Sequence, residues 1–79
     1  MNISLADFVK RGWKTSRKGN RFKHVDTDVS VTIFEQQRSF KFCVSLSRDE
    51  KYYSQDEFGS VKEAQEAAYY WLWDFYNGC

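Results

Sequence analysis

The chain has 79 residues, with 12 Lys or Arg, 11 Asp or Glu and a formal net charge of +1. A chain of this length has room for one hydrophobic core, because it buries only about 60% of the surface of its unfolded state. Phe, Tyr and Trp make up 19% of the residues, and this content of large rings excludes a disordered chain. We therefore expect a single domain over residues 1–79.

The sequence has no apolar run near the roughly 20 residues that a transmembrane helix requires. Residues 1–11 also lack the uninterrupted apolar stretch of a signal peptide. The two cysteines, Cys43 and Cys79, are too few for the disulfide framework of a small secreted protein. These features predict a cytoplasmic protein that does not enter a membrane.

The charge is unevenly distributed along the chain. Residues 1–25 contain seven Lys or Arg and one acid, whereas residues 48–79 contain three bases and seven acids. The two segments therefore carry net charges of +6 and −4. We expect a molecule with one positive end and one negative end.

The first predicted element is a short helix over residues 4–11. Ser4 and Asp7 have the spacing of a capping box, and Phe8 lies on the apolar side of the turn that follows. Gly12 is typical of the position just after a helix, where the backbone adopts a left-handed conformation.

Three antiparallel strands are predicted to follow. Residues 13–20 are polar and basic and indicate a loop, and residues 21–25 and 29–35 predict a hairpin. The clearest strand places Phe40, Phe42, Val44 and Leu46 on one buried face and Lys41, Cys43, Ser45 and Ser47 on the other. The pair Tyr52-Tyr53 is expected to extend the sheet or its edge.

The last element is a long helix over residues 61–76. Ser60 and Glu63 form a capping box, and Asn77-Gly78 is a stop signal. An apolar stripe predicted to face the sheet contains Val61, Ala64, Ala68, Trp71, Leu72 and Phe75. The predicted fold class is α+β, with a short N-terminal helix, a three-stranded antiparallel sheet and a long C-terminal helix packed on one sheet face.

Residues suited to catalysis are few. His24 is the only histidine in the chain, and it lies far in sequence from either cysteine. The sequence contains no glycine-rich phosphate loop, no CxxC pair and no HExxH or EF-hand spacing. We therefore predict that the protein is not an enzyme, binds no cofactor or metal, and acts by binding a partner.

The long helix offers one candidate surface for protein binding. Once the apolar stripe faces the sheet, Tyr70 and Trp73 point to solvent, with Tyr69 and Tyr76 on the flank and Glu66 nearby. Tyr and Trp are enriched in the residues that dominate binding energy at interfaces. The expected partner is a host or phage protein, or a second copy of the chain. The sequence leaves open whether the first helix and Trp13 instead cover these rings.

The basic segment offers an alternative surface, for nucleic acid. It consists of Lys10, Arg11, Trp13, Lys14, Arg17, Lys18, Arg21 and Lys23, with Phe22 among them. Cations for phosphates combined with rings for base stacking are typical of nucleic-acid binding. The same segment is also consistent with a solvated end of the protein.

Residues 58–68, FGSVKEAQEAA, resemble the F-x-[ST]-x-x-E-A-x-x-A pattern that opens the helix of the plant ethylene-response-factor type DNA-binding domain. Arg11-Gly12-Trp13-Lys14 is similar to that family's R-G-V-R sequence before the first strand. The resemblance implies a three-stranded sheet backed by one helix, with Arg11 and Lys14 as candidate DNA contacts. The strands depart from the family, because Lys41 is the only base on their polar positions.

In size and composition the chain is also similar to short, proline-free, aromatic-rich phage proteins, among them inhibitors of host defences such as anti-CRISPR proteins. This resemblance implies a small inhibitor that binds a host defence complex.

Overall fold

A computed structural model describes residues 3–78. The elements in chain order are α1 (Leu5–Lys10), β1 (Lys14–Thr15), β2 (Arg21–His24), β3 (Ser30–Gln36), β4 (Ser39–Ser45), β5 (Lys51–Tyr53) and α2 (Val61–Asn77). The strands form one antiparallel sheet in the order β1-β2-β3-β4-β5. The α+β class with a helix at each end is confirmed, but the predicted number of three strands is wrong, since the sheet has five.

The first additional strand lies inside the basic segment that was predicted to be a loop. Lys14 pairs with Phe22, and Thr15 pairs with Arg21. The hairpin closes at residues 16–20, where the Ser16 N–H donates to the Asn20 carbonyl at 2.7 Å. A two-residue strand shows no alternation in the sequence, so the pairing is visible only in the structure.

The second additional strand is β5, at the opposite edge. Tyr52 pairs with Val44, and Tyr53 pairs with Cys43. The expectation that the Tyr52-Tyr53 pair extends the sheet is therefore confirmed.

The turn between β3 and β4 fixes the register of the central hairpin. Gln37 and Arg38 have φ values of 52° and 69°, as the two central residues of a type I′ turn require. Phe42 and Val44 consequently share a face with Val31 and Ile33, and all four side chains are buried. The predicted register of β4 is confirmed.

Helix α1 begins and ends as its sequence predicted. The Ser4 hydroxyl accepts a hydrogen bond from the Asp7 backbone N–H at 3.2 Å, and Gly12 has a φ of 82°. Phe8 is fully buried and anchors this short helix to the core.

Helix α2 also follows its terminal signals. The Ser60 hydroxyl accepts from the Glu63 N–H at 3.1 Å, and the Glu63 carboxylate accepts from the Gly59 N–H at 3.0 Å. Gly78 ends the helix with a φ of 73°. Across residues 3–78, no helix combines the length and apolar character needed to cross a membrane.

The core lies between one face of the sheet and both helices. Its buried members are Phe8, Val29, Val31, Ile33, Phe42, Val44, Ala64, Ala68, Tyr69 and Leu72. Ala64, Ala68 and Leu72 confirm part of the predicted stripe, but the prediction that Phe75 faces the core is wrong, since this side chain is 47% exposed. The Tyr69 ring lies 5.4 Å from the Phe8 ring of α1. Because α2 packs against α1 as well as the sheet, its buried side is rotated toward Tyr69.

Candidate functional site

Exposed rings are concentrated on the C-terminal half of α2. The large hydrophobic side chains that are exposed in the described part of the chain are Tyr53, Tyr70, Trp73 and Phe75. Tyr70 is 58% and Trp73 43% exposed, as the helix periodicity predicted. Three of these four rings therefore lie within six consecutive residues.

Tyr69 does not belong to this exposed set, so its predicted place on the flank of the surface is wrong. Its side chain is buried, and its hydroxyl donates to the Ile3 carbonyl at 2.8 Å. Tyr69 instead joins α2 to the N-terminal segment. The alternative that α1 covers the rings of α2 therefore holds for Tyr69 but not for Tyr70 or Trp73.

Tyr76 and Glu66 lie on the side of α2 that faces α1. Tyr76 is half-buried, its hydroxyl has no hydrogen-bond partner within the described residues, and burial raises its pKa, with the charge of Asp26 acting in the same direction. Glu66 lines a shallow depression together with Leu5 and Val9 of α1. The Tyr76 ring also lies 5.2 Å from the exposed Phe75 ring in an edge-to-face arrangement.

A groove lies between α2 and the chain that leads from β5 to it, and we name it the aromatic groove. It has a volume of about 300 Å³ and is lined by Phe42, Tyr52, Ser54, Gln55, Asp56, Phe58, Ala67, Tyr70, Trp71 and Asp74. The Tyr52 and Trp71 rings are stacked 4.8 Å apart, and the Trp71 and Phe75 rings are stacked at 5.5 Å. The exposed Phe75 thus continues the ring stack beyond the groove.

Buried Ser54 fixes the wall of the aromatic groove. Its backbone N–H donates to the Phe42 carbonyl at 2.8 Å, and its hydroxyl accepts from the Phe42 N–H at 3.1 Å. The same hydroxyl donates to the Asp56 carbonyl at 3.1 Å. This arrangement places Asp56 on the rim opposite Asp74 of α2.

The charges of the aromatic groove have one sign. Asp56 and Asp74 are its charged lining residues, and no Lys, Arg or His is among the residues that line it. Aromatic faces and carboxylates both attract cations, and rings also accept aliphatic stems. The groove is therefore suited to a Lys or Arg side chain.

Sequence reasoning missed the groove because it assigned Trp71 and Phe75 to the core and left Tyr52 at the sheet edge. The available signal was the four-residue spacing of Trp71 and Phe75, which places the two rings one above the other on a helix.

Two residues of the basic segment have structural roles, and the burial of Lys23 removes it from the predicted ligand-binding surface. The Lys23 side chain is 7% exposed, and its ammonium donates to the carbonyls of Phe8 and Arg11 and lies 4.9 Å from the centre of the Phe8 ring. The Trp13 indole N–H donates to the Phe8 carbonyl at 2.7 Å. Both side chains hold the C-terminal end of α1 against the sheet.

The other bases of the segment are exposed but do not form a single patch. They are Lys10, Arg11, Lys14, Arg17, Lys18 and Arg21. The register places Arg21 opposite the core residue Ile33 and Lys14 opposite Phe22, so the two bases lie on opposite faces of the sheet. Arg11 is also paired with Asp7, at 3.7 Å.

Within residues 3–78, no three His, Cys, Asp or Glu side chains are grouped closely enough to hold a metal ion.

Comparison of the chain with protein-family models, with curated proteins and with solved structures gave no match. The resemblances to the ethylene-response-factor type domain and to phage inhibitors therefore stay predictions.

Proposed function

We propose that the protein is a non-catalytic protein-binding module that holds its partner through the aromatic groove and the exposed rings next to it. The observation that carries the proposal is a groove whose charged groups are both carboxylates, lined by the exposed Tyr70 and continued by the exposed Phe75, which stacks on Trp71. Exposed large rings beside a groove are typical of interaction surfaces and are costly to leave in water.

The partner that fits this surface is a protein segment with Lys or Arg next to an apolar residue. The cation would lie between Asp56 and Asp74, while its aliphatic stem and the neighbouring apolar residue would pack on the exposed Tyr70 ring. The seven acids among residues 48–79 favour the approach of a basic partner surface and disfavour an acidic one.

The biological role that we propose is inhibition of a host defence complex by a phage-type protein. This part of the proposal rests on the resemblance in size and composition to small phage inhibitors. It also rests on the binding surface, which can cover a binding surface of the partner. We also propose a cytoplasmic location, which the free thiol of Cys43 supports because such thiols persist in reducing compartments.

An array of synthetic peptides tests the partner chemistry. Peptides with a central Arg between Leu and Phe are compared with peptides that carry Glu at the centre and with scrambled sequences. We expect the wild-type protein to select the Arg peptides. Asp74→Lys should abolish that selection, whereas Asp49→Lys, the same charge change in the loop between β4 and β5, should preserve it.

The exposed rings are tested with the double variant Tyr70→Ser/Trp73→Ser. We expect it to keep its fold and to bind the selected peptides about 30-fold more weakly or worse, as the loss of one interface hot spot implies. Peptide selection unchanged in both this variant and Asp74→Lys would refute the proposal. Sedimentation of the wild type as a dimer that the double variant loses would identify the partner as a second copy of the chain.

A further inference from the structure

The face of the sheet opposite the helices carries a second set of rings and charged side chains. The helices and the buried residues Val31, Ile33, Phe42 and Val44 share one core cluster, so the alternate strand positions point the other way. These outward positions, which we name the open face, are Lys14, Phe22, His24, Ser30, Thr32, Phe34, Gln36, Ser39, Lys41, Cys43, Ser45, Lys51 and Tyr53.

The open face has a positive charge. Its lysines are Lys14, Lys41 and Lys51, and none of its positions is Asp or Glu although the chain contains 11 acids. The lysines lie on the first, fourth and fifth strands, so the charge extends across the whole sheet. An anionic ligand would meet no opposing carboxylate on this face.

The open face also carries rings between the lysines. One row across the five strands consists of Lys14, Phe22, Thr32, Cys43 and Tyr53. Phe22 and Tyr53 are three strand spacings apart in this row, or about 14 Å. The Phe34 ring lies 6.2 Å from the Tyr53 ring in an edge-to-face arrangement, and the Tyr53 side chain is 56% exposed.

We propose that the open face binds single-stranded nucleic acid. Bases stack on Phe22, Phe34 and Tyr53, while the ammonium groups of Lys41 and Lys51 contact phosphates. Rings provide a surface on which every base can stack, and lysines on the same face provide sequence-independent attraction to the backbone. The hydroxyls between the rings can bond to base edges or sugars.

The rings of the open face favour a single strand over a duplex. Stacking on a side-chain ring requires a base whose face is free, and in a duplex the neighbouring base pairs cover both faces. A charge-driven protein partner would not need flat rings between the lysines. The site lies across the sheet from the aromatic groove, so it does not depend on the function proposed for α2.

Fluorescence anisotropy with labelled oligothymidine and oligouridine of about 12 nucleotides tests the proposal, since single-strand sites span about 4–16 nucleotides. A duplex of the same length and heparin serve as further probes, and the two single strands show whether the sugar matters. We expect the single strands to bind more tightly than the duplex. Equal or tighter binding of the duplex, or no binding of either single strand at low salt, would overturn the proposal.

Ring variants separate stacking from charge. Tyr53→Ala and Phe34→Ala should each weaken single-strand binding about five-fold or more, the lower end of what one stacked base contributes. Tyr53→Phe preserves the ring and should preserve the affinity. If the alanine variants bind like wild type and heparin competes equally with every probe, the face attracts polyanions by charge alone and the proposal fails.

Lysine variants locate the phosphate contacts. The double variant Lys41→Gln/Lys51→Gln should lower the slope of log K against log salt by about 1.4, because each single-strand phosphate contact contributes about 0.7. Lys62→Gln, an exposed lysine on α2, should leave the slope unchanged. A slope that falls instead in Arg17→Gln/Lys18→Gln would assign binding to the loop between β1 and β2.

Amide chemical shifts of the wild-type protein give a test that requires no variant to fold. Titration with oligothymidine should shift the amides of Phe22, Thr32, Cys43 and Tyr53 most strongly. Shifts confined to α2, or to residues 16–20, would contradict binding on the open face.

Discussion

The variant Lys23→Met tests whether the buried ammonium holds α1 in place. Methionine preserves the aliphatic stem, so the change removes mainly the charge and its hydrogen bonds. In the wild type the ammonium donates to the carbonyls of Phe8 and Arg11 at the end of α1, where positive charge also stabilises the helix dipole. Burial lowers the pKa of Lys23 while the charge of Asp7 raises it, so the ammonium has lost favourable hydration.

These effects oppose one another, and their sizes decide the sign. Hydrogen bonds from a charged donor contribute about 1.5–3 kcal/mol, and a cation over a ring contributes about 0.5–2 kcal/mol. The Phe8 carbonyl keeps its hydrogen bond from the Trp13 indole, and water can bond to the carbonyl of the exposed Arg11. Both effects limit the loss of stability. After relief of the desolvation cost, we expect Lys23→Met to lower the free energy of unfolding by about 2 kcal/mol.

Urea unfolding followed by circular dichroism and tryptophan fluorescence measures this effect. A loss of about 2 kcal/mol corresponds to a fall in Tm of roughly 8–16 °C for a domain of this size. Lys10→Met removes an exposed lysine from the same helix and should change stability by less than about 0.5 kcal/mol. A Lys23→Met variant as stable as wild type, or more stable, would show that desolvation outweighs the hydrogen bonds and would refute the reasoning.

Three further predictions concern the core, the central turn and the thiol of the open face. Phe8→Ala should lower the free energy of unfolding by about 3–5 kcal/mol because its ring is fully buried. Phe75→Ala should lower it by about 1 kcal/mol, mainly through the lost stacking on Trp71. Urea unfolding that gives the reverse order would contradict the burial of Phe8 in the core. Gln37→Asn combined with Arg38→Gly should stabilise the fold by about 1 kcal/mol, since both residues have positive φ; a lower Tm in the double variant would argue against the type I′ turn. Burial is the main cause that raises the pKa of the Cys43 thiol above its ordinary value, against smaller opposing effects of the Tyr53 hydrogen bond and Lys51. In the Cys79→Ser protein, alkylation of Cys43 should therefore have its midpoint at a higher pH in the folded protein than in the urea-unfolded protein, and equal midpoints would contradict the burial. Because the raised pKa favours the neutral thiol in the fold, its stabilising contribution is present below the pKa of the unfolded chain and is lost as the pH rises through the folded pKa.

The sequence by itself determined the elements whose signals are local. Ser4 and Ser60 cap the two helices as predicted, because a hydroxyl at that position satisfies backbone donors that the helix leaves free. The alternation of Phe42 and Val44 predicted the inner face of β4, because side chains in a strand alternate between its two sides. These signals depend only on neighbours in the chain.

The tertiary structure decided which sides of these elements are buried. The apolar stripe predicts that α2 packs on the sheet alone, but α1 also packs on it, and this buries Tyr69 and leaves Phe75 in solvent. The basic sequence around Lys23 predicted a phosphate contact. Only its position beneath α1 shows that its ammonium is a structural hydrogen-bond donor.

The tertiary structure also assembled both candidate sites. Lys14, Phe22 and Tyr53 come from three strands and share one row only because β1 and β5 pair at the two edges of the sheet. These strands have two and three residues, too few to show a period, so their register depends on pairing with longer neighbours. Asp56 and Asp74 likewise line one groove, whose wall depends on the hydrogen bonds of Ser54. Contacts between residues distant in the chain leave no periodic signal in the sequence, and the packed structure alone defines them.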